Sequence, residues 1–464
     1  MKKLIPCLLF FIHIHFAFSQ DAEWDNPQHR EMGDILKYGL IASGETLFGN
    51  LSLMLINMTY GFSWSTPSAK GVKDNFTTPW QWEGMDRFVV NQLAHPYHGG
   101  LSFSTGRSNG FGFYESVFFS VLGASTWETF CESQHASLND FITTSVTSMA
   151  TGEMLYRLHL EAYAASSSLP LAFIVNPLGG FHILITNGRK TPNPGKNIYQ
   201  LQARIGGGYN KTNYSLTDDQ QEIFSFDGGF GSFDLKLIYG DPFEQDTFIP
   251  YRHFELSASV STRLGSYVNS SIISDGYLFS FQPIYTDNNA MSTGLSMHFD
   301  YISMGRFDIW SSGFDIQNSS LDWTIKHQHL FSENTAMELK CHAGFTFWGV
   351  STYYRENNPK DLLNYGYGLN SKLFFTLENK KMGKLEADMF FYTLWTYPPT
   401  SAFSDGTVYW LFTDITYSRF FSKIFSAGIT GSLAREWTSF NENSSYPNTR
   451  KKNDAIKVFV AWNL

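Results

Sequence analysis

From Ile198 to the C-terminus the side chains alternate with a period of two, and this constrains the fold more than any other feature. Tyr199, Leu201, Ala203 and Ile205 fall on one side, with Gln200, Gln202 and Arg204 on the other. Phe254, Leu256, Ala258 and Val260 alternate with Glu255, Ser257, Ser259 and Ser261. Leu295, Met297, Phe299 and Tyr301 alternate with Ser296, His298 and Asp300; Leu385, Ala387, Met389 and Phe391 oppose Glu386, Asp388, Phe390 and Tyr392. Period two is the signature of a β-strand with two unlike faces. The polar faces carry both signs of charge: Arg204, Lys236, Lys340 and Lys372 against Glu255, Asp300, Glu338, Glu386, Asp388 and Asp414. The apolar faces carry aromatic residues near strand ends. Tyr409 and Tyr417 share a face, and at about 3.3 Å per residue they lie roughly 26 Å apart, close to the height of the apolar band of a transmembrane barrel. The last strand, with Ile456, Val458, Val460, Trp462 and Leu464 on one face, runs to the end of the chain, as in barrels that close their last strand on the first. The segments predict a mainly β chain: a transmembrane antiparallel barrel of about twelve strands, within a range of about ten to fourteen, over residues 191–464. Opposite charges turned inward can pair, so such a lumen need not be an open pore.

The rest of the chain fits an exported protein. Lys2 and Lys3, then the apolar run Leu4–Phe16, then Ala17-Phe18-Ser19 predict a signal peptide over residues 1–19. The chain is 43% hydrophobic and 17% aromatic, yet its mean hydropathy is only -0.20, a pairing that suits aromatic surface outside and polar groups inside. A net charge of -9 leaves no basic surface to follow a phosphate backbone, so nucleic acid is not an expected partner. Cys7 falls in the leader, and Cys131 and Cys341 are expected to be free thiols. After the leader no ordinary transmembrane helix is predicted; Leu40–Tyr60, with Glu45, Asn50 and Asn57, reads as an amphipathic or buried helix.

Residues 20–190 read as a helical N-terminal domain. Helices are expected from Asp34 to about Tyr60, from Phe111 to Glu132, and from Ser137 to about Ser166, the last opened by the capping box Ser137-Leu138-Asn139-Asp140. The stretch His95-Pro96-Tyr97-His98-Gly99-Gly100 is expected to be a turn, and Leu101–Asn109 a linker.

The candidate site is a polar cluster of His95, His98, Glu128, Asp140 and Glu153. His95 and His98 could meet one metal ion, but a full site needs a third ligand that this spacing lacks; otherwise they form a rigid turn bonded to carboxylates of the helices behind. Glu128, between Trp127 and Phe130, is expected to be enclosed and to need a partner from His95, His98, Arg107 or Arg157. Glu153 and Arg157 stand at i, i+4 and can pair, a salt bridge that would fix two helices. No nucleophile elbow, phosphate loop or dinucleotide fingerprint is present, and no cofactor is expected. Gly206-Gly207-Gly208 reads as a strand-end kink.

Asn91-Gln92-Leu93-Ala94-His95-Pro96-Tyr97-His98-Gly99, Arg107-Ser108-Asn109-Gly110, Tyr114-Glu115-Ser116, Trp127-Glu128, Asn139-Asp140 and Gly152-Glu153 resemble a bacterial envelope family catalogued as domain of unknown function 3943. Asn176-Pro177 with Gly179-Gly180-Phe181 is similar to its downstream turn. Thr147–Thr151 departs from the family pattern, which has more glycine there. The resemblance implies a helical segment ahead of an outer-membrane barrel and brings no established activity.

Together these readings lead to an outer-membrane barrel with a helical plug or periplasmic unit, in a non-enzymatic envelope, transport or structural role. Its expected partners are outer-membrane lipid and the barrel-assembly machinery. Two alternatives stay open: a lipid-modifying hydrolase, with His95 or His98 as base and Glu128 or Asp140 orienting it, and a small-solute or ion channel.

Overall fold

The structure, a computed structural model, describes residues 31–83, 85–166, 168–188, 191–192, 194, 196–216, 222–243, 246–263, 267–306, 314–353, 361–396, 405–441 and 447–463. The signal peptide expected at residues 1–19 lies outside them. The chain divides into two units: Gly84–Val89, Ile198–Thr247 and Arg252–Leu464 form one, and the remainder, including Phe248–Tyr251, forms the other.

The first of these is the barrel. Its long strands are β1 (Ile198–Leu216), β2 (Glu222–Tyr239), β3 (Phe254–Arg263), β4 (Tyr267–Tyr285), β5 (Asn289–Arg306), β6 (Asp315–Ser332), β7 (Thr335–Tyr353), β8 (Asp361–Asn379), β9 (Gly383–Thr396), β10 (Gly406–Phe420), β11 (Phe425–Phe440) and β12 (Thr449–Asn463). Each is antiparallel to its sequence neighbour, and β12 pairs with β1 from Thr449↔Leu216 to Asn463↔Gln202, which closes the sheet. A two-residue strand, Met85–Asp86, adds to the start of β8. Closure leaves no long unpaired edge, the condition for a sheet in lipid, where no water can satisfy backbone groups.

The faces follow the sequence pattern. Ile205, Phe345, Leu369, Ile415, Leu433 and Val458 are exposed on the outside, while Lys340, Lys372, Asp300 and Glu386 face inward and are buried, and Arg204 and Lys236 face inward and are partly buried. One strand differs from expectation. On β5 the outward Met297, Phe299 and Tyr301 are buried, and Phe88, from the segment leading out of Met85–Asp86, stacks on Tyr301 with ring centroids 5.4 Å apart. Gly206 to Gly208 lie within β1, paired with both neighbours, not at a strand end as expected.

The other unit is helical: α1 (Met32–Thr59), α2 (Ala69–Thr77), α3 (His95–Ser108), α4 (Phe113–Phe130), α5 (Leu138–Ile142), α6 (Ser148–Ser166), α7 (Leu169–Val175) and α8 (Pro177–Thr186). Two wider π turns, Val90–Ala94 and Thr143–Thr147, lead into α3 and α6. The expected turn at His95–Gly100 and linker at Leu101–Asn109 are instead the single helix α3. Pro96 follows directly on the Val90–Ala94 π turn, whose wider hydrogen-bond spacing accommodates a residue with no N–H to donate. Helix α2 is capped by Ser68, whose hydroxyl accepts from the Gly71 N–H at 3.0 Å.

Gly99 and Gly100 are needed for contact, not for a bend. A Cβ on Gly99 would collide with the Thr144 carbonyl, and one on Gly100 would come within 3.0 Å of the Gly152 nitrogen. The π turn at Thr143–Thr147 lies beside this crossing. Here threonine and serine line the approach from the facing helix.

Candidate functional site

The helical unit encloses polar groups in quantity. From α1, Glu45, Thr46 and Asn50 are all buried. Asn50 organises the first cluster: its Nδ2 donates to the Gly123 carbonyl at 2.9 Å and to Thr126 Oγ1 at 2.7 Å, and its Oδ1 meets His98 Nε2 at 2.7 Å. The His98 ring stands edge-on to Trp127, centroids 4.8 Å apart. His95 Nδ1 meets Thr144 Oγ1 at 2.9 Å. In place of the carboxylate partner expected for His98 stands an amide, supplied by α1, which carries none of the five candidate residues.

Glu45 forms a second cluster. One oxygen meets His182 Nδ1 at 2.8 Å; the other accepts from Asn109 Nδ2 at 2.7 Å. The third is an ion-pair triad. Glu153 lies between Arg107, with Nε–Oε2 at 2.8 Å, and Arg157, with Nε–Oε1 at 2.9 Å, and all three side chains are at most 3% exposed. Arg107 also donates to the Phe111 carbonyl and covers the Tyr156 ring, while Arg157 donates to the Pro250 carbonyl. The expected Glu153–Arg157 pair is present, with a second arginine added.

The fourth surrounds Glu128, enclosed as expected. Its Oε2 accepts from the Ser137 N–H at 2.8 Å, and Oε1 has no hydrogen-bond partner among the described residues. Burial, then the nearby Glu132 and Asp140, push its carboxyl well above the usual range. Asp140 is also buried; its N–H donates to the Ser137 hydroxyl in the predicted cap, and its Oδ1 accepts from Asn139 Nδ2 at 3.0 Å. Glu132 accepts from the Trp127 indole at 2.7 Å.

The five candidates thus fall into three neighbourhoods: His95 and His98 with Thr144 and Asn50, Glu128 with Asp140, and Glu153 with the two arginines. Among the described residues no group of three or more His, Cys, Asp or Glu side chains is arranged to hold a metal ion. Cys131, buried, and Cys341, half-buried, are free thiols.

Burial, and after it His95, lower the His98 imidazole to about 3. The fold therefore keeps His98 neutral, and the unfolded chain, whose imidazole titrates near 6.5, takes up the proton first as the pH falls. Stability from this group is complete above pH 6.5 and drains away as the pH falls toward about 3. Glu128 runs the other way: raised in the fold, it favours folding below the ordinary carboxylate value and loses that contribution as the pH rises. The difference in melting temperature between the wild type and His98→Gln should therefore change between pH 7 and pH 4, the variant losing less on acidification. Equal losses in both would remove His98 as the cause.

The barrel lumen holds a second polar centre that the sequence reading placed inward without assembling. Near the end where β1 begins, Glu255 bridges Lys326 at 2.7 Å and Lys340 at 2.9 Å, and Glu386 pairs with Arg204 at 2.9 Å. Deeper, Lys372 Nζ meets Asp300 Oδ2 at 2.5 Å and His298 Nδ1 at 2.9 Å. Tyr392 and Asn318 also donate to Asp300, while His342 meets Thr324 and stands edge-on to His298. At the opposite end the inward side chains are mixed: Ile302, Ile316, Tyr353, Leu394, Trp410 and Phe440 belong to one buried cluster, and beside it Lys451 pairs with Glu436, both side chains 1% exposed. A cavity of about 250 Å³ remains, lined by residues including Asp234, Lys236, Asp388, Asp414 and Lys457. The signal for this centre was present in the sequence: His298, Asp300 and His342 all fall on polar strand faces.

Residues 79–178 match the family model described as Domain of unknown function (DUF3943). Among solved structures, an outer membrane channel from Pseudomonas putida F1 is 9% identical, covers 58% of this chain and 96% of its own, and has a TM-score of 0.31. The outer membrane protease OmpT from Escherichia coli is 7% identical, with 58% and 99% covered and a TM-score of 0.22. The Pseudomonas putida toluene transporter TodX is 8% identical, with 61% and 92% covered and a TM-score of 0.23. Likeness at this level carries neither substrate nor activity to this chain. No curated protein matches the sequence.

Proposed function

We propose that this protein is a non-catalytic outer-membrane barrel whose lumen is held shut by its own side chains, with a helical unit built around structural polar clusters. The observation that carries this reading is how fully the inward charges are used. Lys326, Lys340 and Lys372 each meet a carboxylate within 3 Å, as does Arg204, and at the far end of the lumen aliphatic and aromatic groups pack beside the buried Lys451–Glu436 pair. An aqueous pore needs charged or polar walls facing water along its length; here the walls face one another. The outward apolar side chains support the location, because charge buried inside and hydrocarbon shown outside is stable only where the surroundings are acyl chains. Export through a leader and insertion by the barrel-assembly machinery belong to the same reading.

The helical clusters support a structural role over hydrolysis. A general base works best with a pKa near the operating pH. His98 is far below it, buried, and bonded to an amide, and Glu153 is fully engaged by two arginines.

Purified protein in planar bilayers should show no steady conductance step at moderate voltage, while migrating as a heat-modifiable barrel on gels. A stable open conductance would overturn the closed-lumen reading in favour of a channel. A changed lipid profile on overexpression, abolished by His98→Gln without loss of folded protein, would overturn the non-catalytic one.

A further inference from the structure

The helical unit is arranged the opposite way round from a water-soluble bundle, and α1 shows this best. Between Tyr38 and Phe62 its one charged residue is Glu45, which is 4% exposed. From Tyr38 to its end at Thr59 α1 runs for 22 residues without an exposed charge, roughly 33 Å at about 1.5 Å per residue. Leu36, Leu40, Leu47, Leu51, Leu55 and Met58 recur at helical spacing, and every one is more than 40% exposed. The opposite face carries Ala42, Glu45, Thr46 and Asn50, all buried. In water a surface helix turns its apolar stripe inward and its polar face out; here both are reversed. By length and composition α1 could cross a bilayer, yet only 22% of its most apolar window is buried within the protein.

We infer that the outward face of α1 lies against the acyl chains of a membrane. Three observations favour lipid over a protein partner. First, from Tyr38 to Thr59 α1 exposes no charge of its own, whereas protein interfaces carry a polar rim around an apolar centre. Second, the apolar surface continues onto α8: Phe181 stacks on Phe48 with centroids 4.5 Å apart, and Leu184 and Ile185 are half-exposed beyond it. Third, the crossings behind α1 are those of helices that associate without a hydrophobic drive between them. A side chain on Gly123 would strike Ser102, one on Gly106 would strike Ser116, and Gly99 meets Thr144 and Ser148. Hydroxyl-to-hydroxyl and amide bonds, such as Thr46–Thr105 at 2.8 Å, hold the helices together.

This also separates α1 from a cleaved leader, which passes the same test of length and apolarity. Glu45 and Asn50 supply partners to His182, Asn109 and His98. Removing α1 would leave those buried groups without them, at about 1–3 kcal/mol each, so α1 belongs to the mature fold.

The inference rests on the reading of the chain as membrane-bound, and the test separates the two. In the full-length protein, Cys131 and Cys341 are changed to Ser and single cysteines are placed at Leu40, Leu51 or Leu55, at the barrel position Val458, and at Lys423 in an exposed turn. Each is labelled with an environment-sensitive fluorophore and reconstituted in phosphatidylcholine vesicles containing doxyl-labelled lipid. Labels on α1 should be quenched by the doxyl lipid as strongly as the label at Val458, and shielded from iodide. Iodide quenching equal to that at Lys423, with Val458 still quenched by lipid, would overturn the inference and leave the barrel intact. Excimer formation between pyrene labels on α1 in dilute vesicles would also overturn it, by showing that a second copy covers the face. Loss of lipid quenching at Val458 itself would bring down the barrel reading. Heat-modifiable migration of each variant checks that the barrel has formed.

Discussion

Replacing Glu153 with Gln is expected to destabilise the helical unit by about 3–5 kcal/mol, because it leaves two buried guanidiniums facing a neutral amide. Arg107 and Arg157 are almost wholly enclosed, and Glu153 is the carboxylate that both of them meet. The size of the effect comes less from the strength of the pair than from the cost of keeping a charge out of water once its partner is gone. Circular dichroism at helical wavelengths, followed through thermal unfolding, should show an early transition in the variant. The gel shift of the barrel reads the other unit separately. A catalytic Glu153 would behave otherwise: activity would fall while the unfolding profile stayed at the wild-type position. Changing Arg107 and Arg157 to Met along with Glu153 to Leu should recover much of the loss, since apolar replacement of a complete buried ion group is often close to neutral.

The second large effect is expected in the lumen. Asp300→Asn removes the carboxylate that receives Lys372 and leaves the buried ammonium with His298 Nδ1 as its remaining hydrogen-bond partner. Both side chains are 1% exposed, so the expected destabilisation is again about 3–5 kcal/mol. The readout is a lower temperature for loss of the folded gel band, or a lower urea midpoint in detergent. Pairing the change with Lys372→Met should restore stability beyond the sum of the two single effects, because residues in one ion pair are not additive. If Asp300→Asn melts like the wild type, the lumen is wet enough to solvate Lys372, and the closed interior fails with it.

How much of this was legible in the sequence depended on the range of the interactions concerned. The strands were visible because alternation is local: each residue's face follows from its neighbours two places away, and β9 and β12 read in the sequence as they stand in the barrel. The Ser137 cap and the Glu153–Arg157 pair were visible for the same reason, since both lie within one turn of helix. Helix α3 was missed because Pro96, Gly99 and Gly100 read as breakers. Pro96 is accommodated by the π turn just before it, and the two glycines are selected by the backbone that crosses over them, at Thr144 for Gly99 and Gly152 for Gly100. The same limit explains the site. His98 was matched to carboxylates on nearby segments, and its partner proved to be Asn50 on α1, a helix with no motif to mark it.

By itself, then, the sequence determined that the second half is a two-faced sheet, apolar on one side and ionised on the other, and that the first half is helical with acidic groups needing partners. Only the tertiary structure decided which carboxylate meets which cation, that β12 closes on β1, and that α1 turns its polar side inward and its hydrocarbon out. The physical reason is that alternation, helical period and caps are carried by covalent neighbours. The pairing of buried charge is set by which distant segments exclude water together.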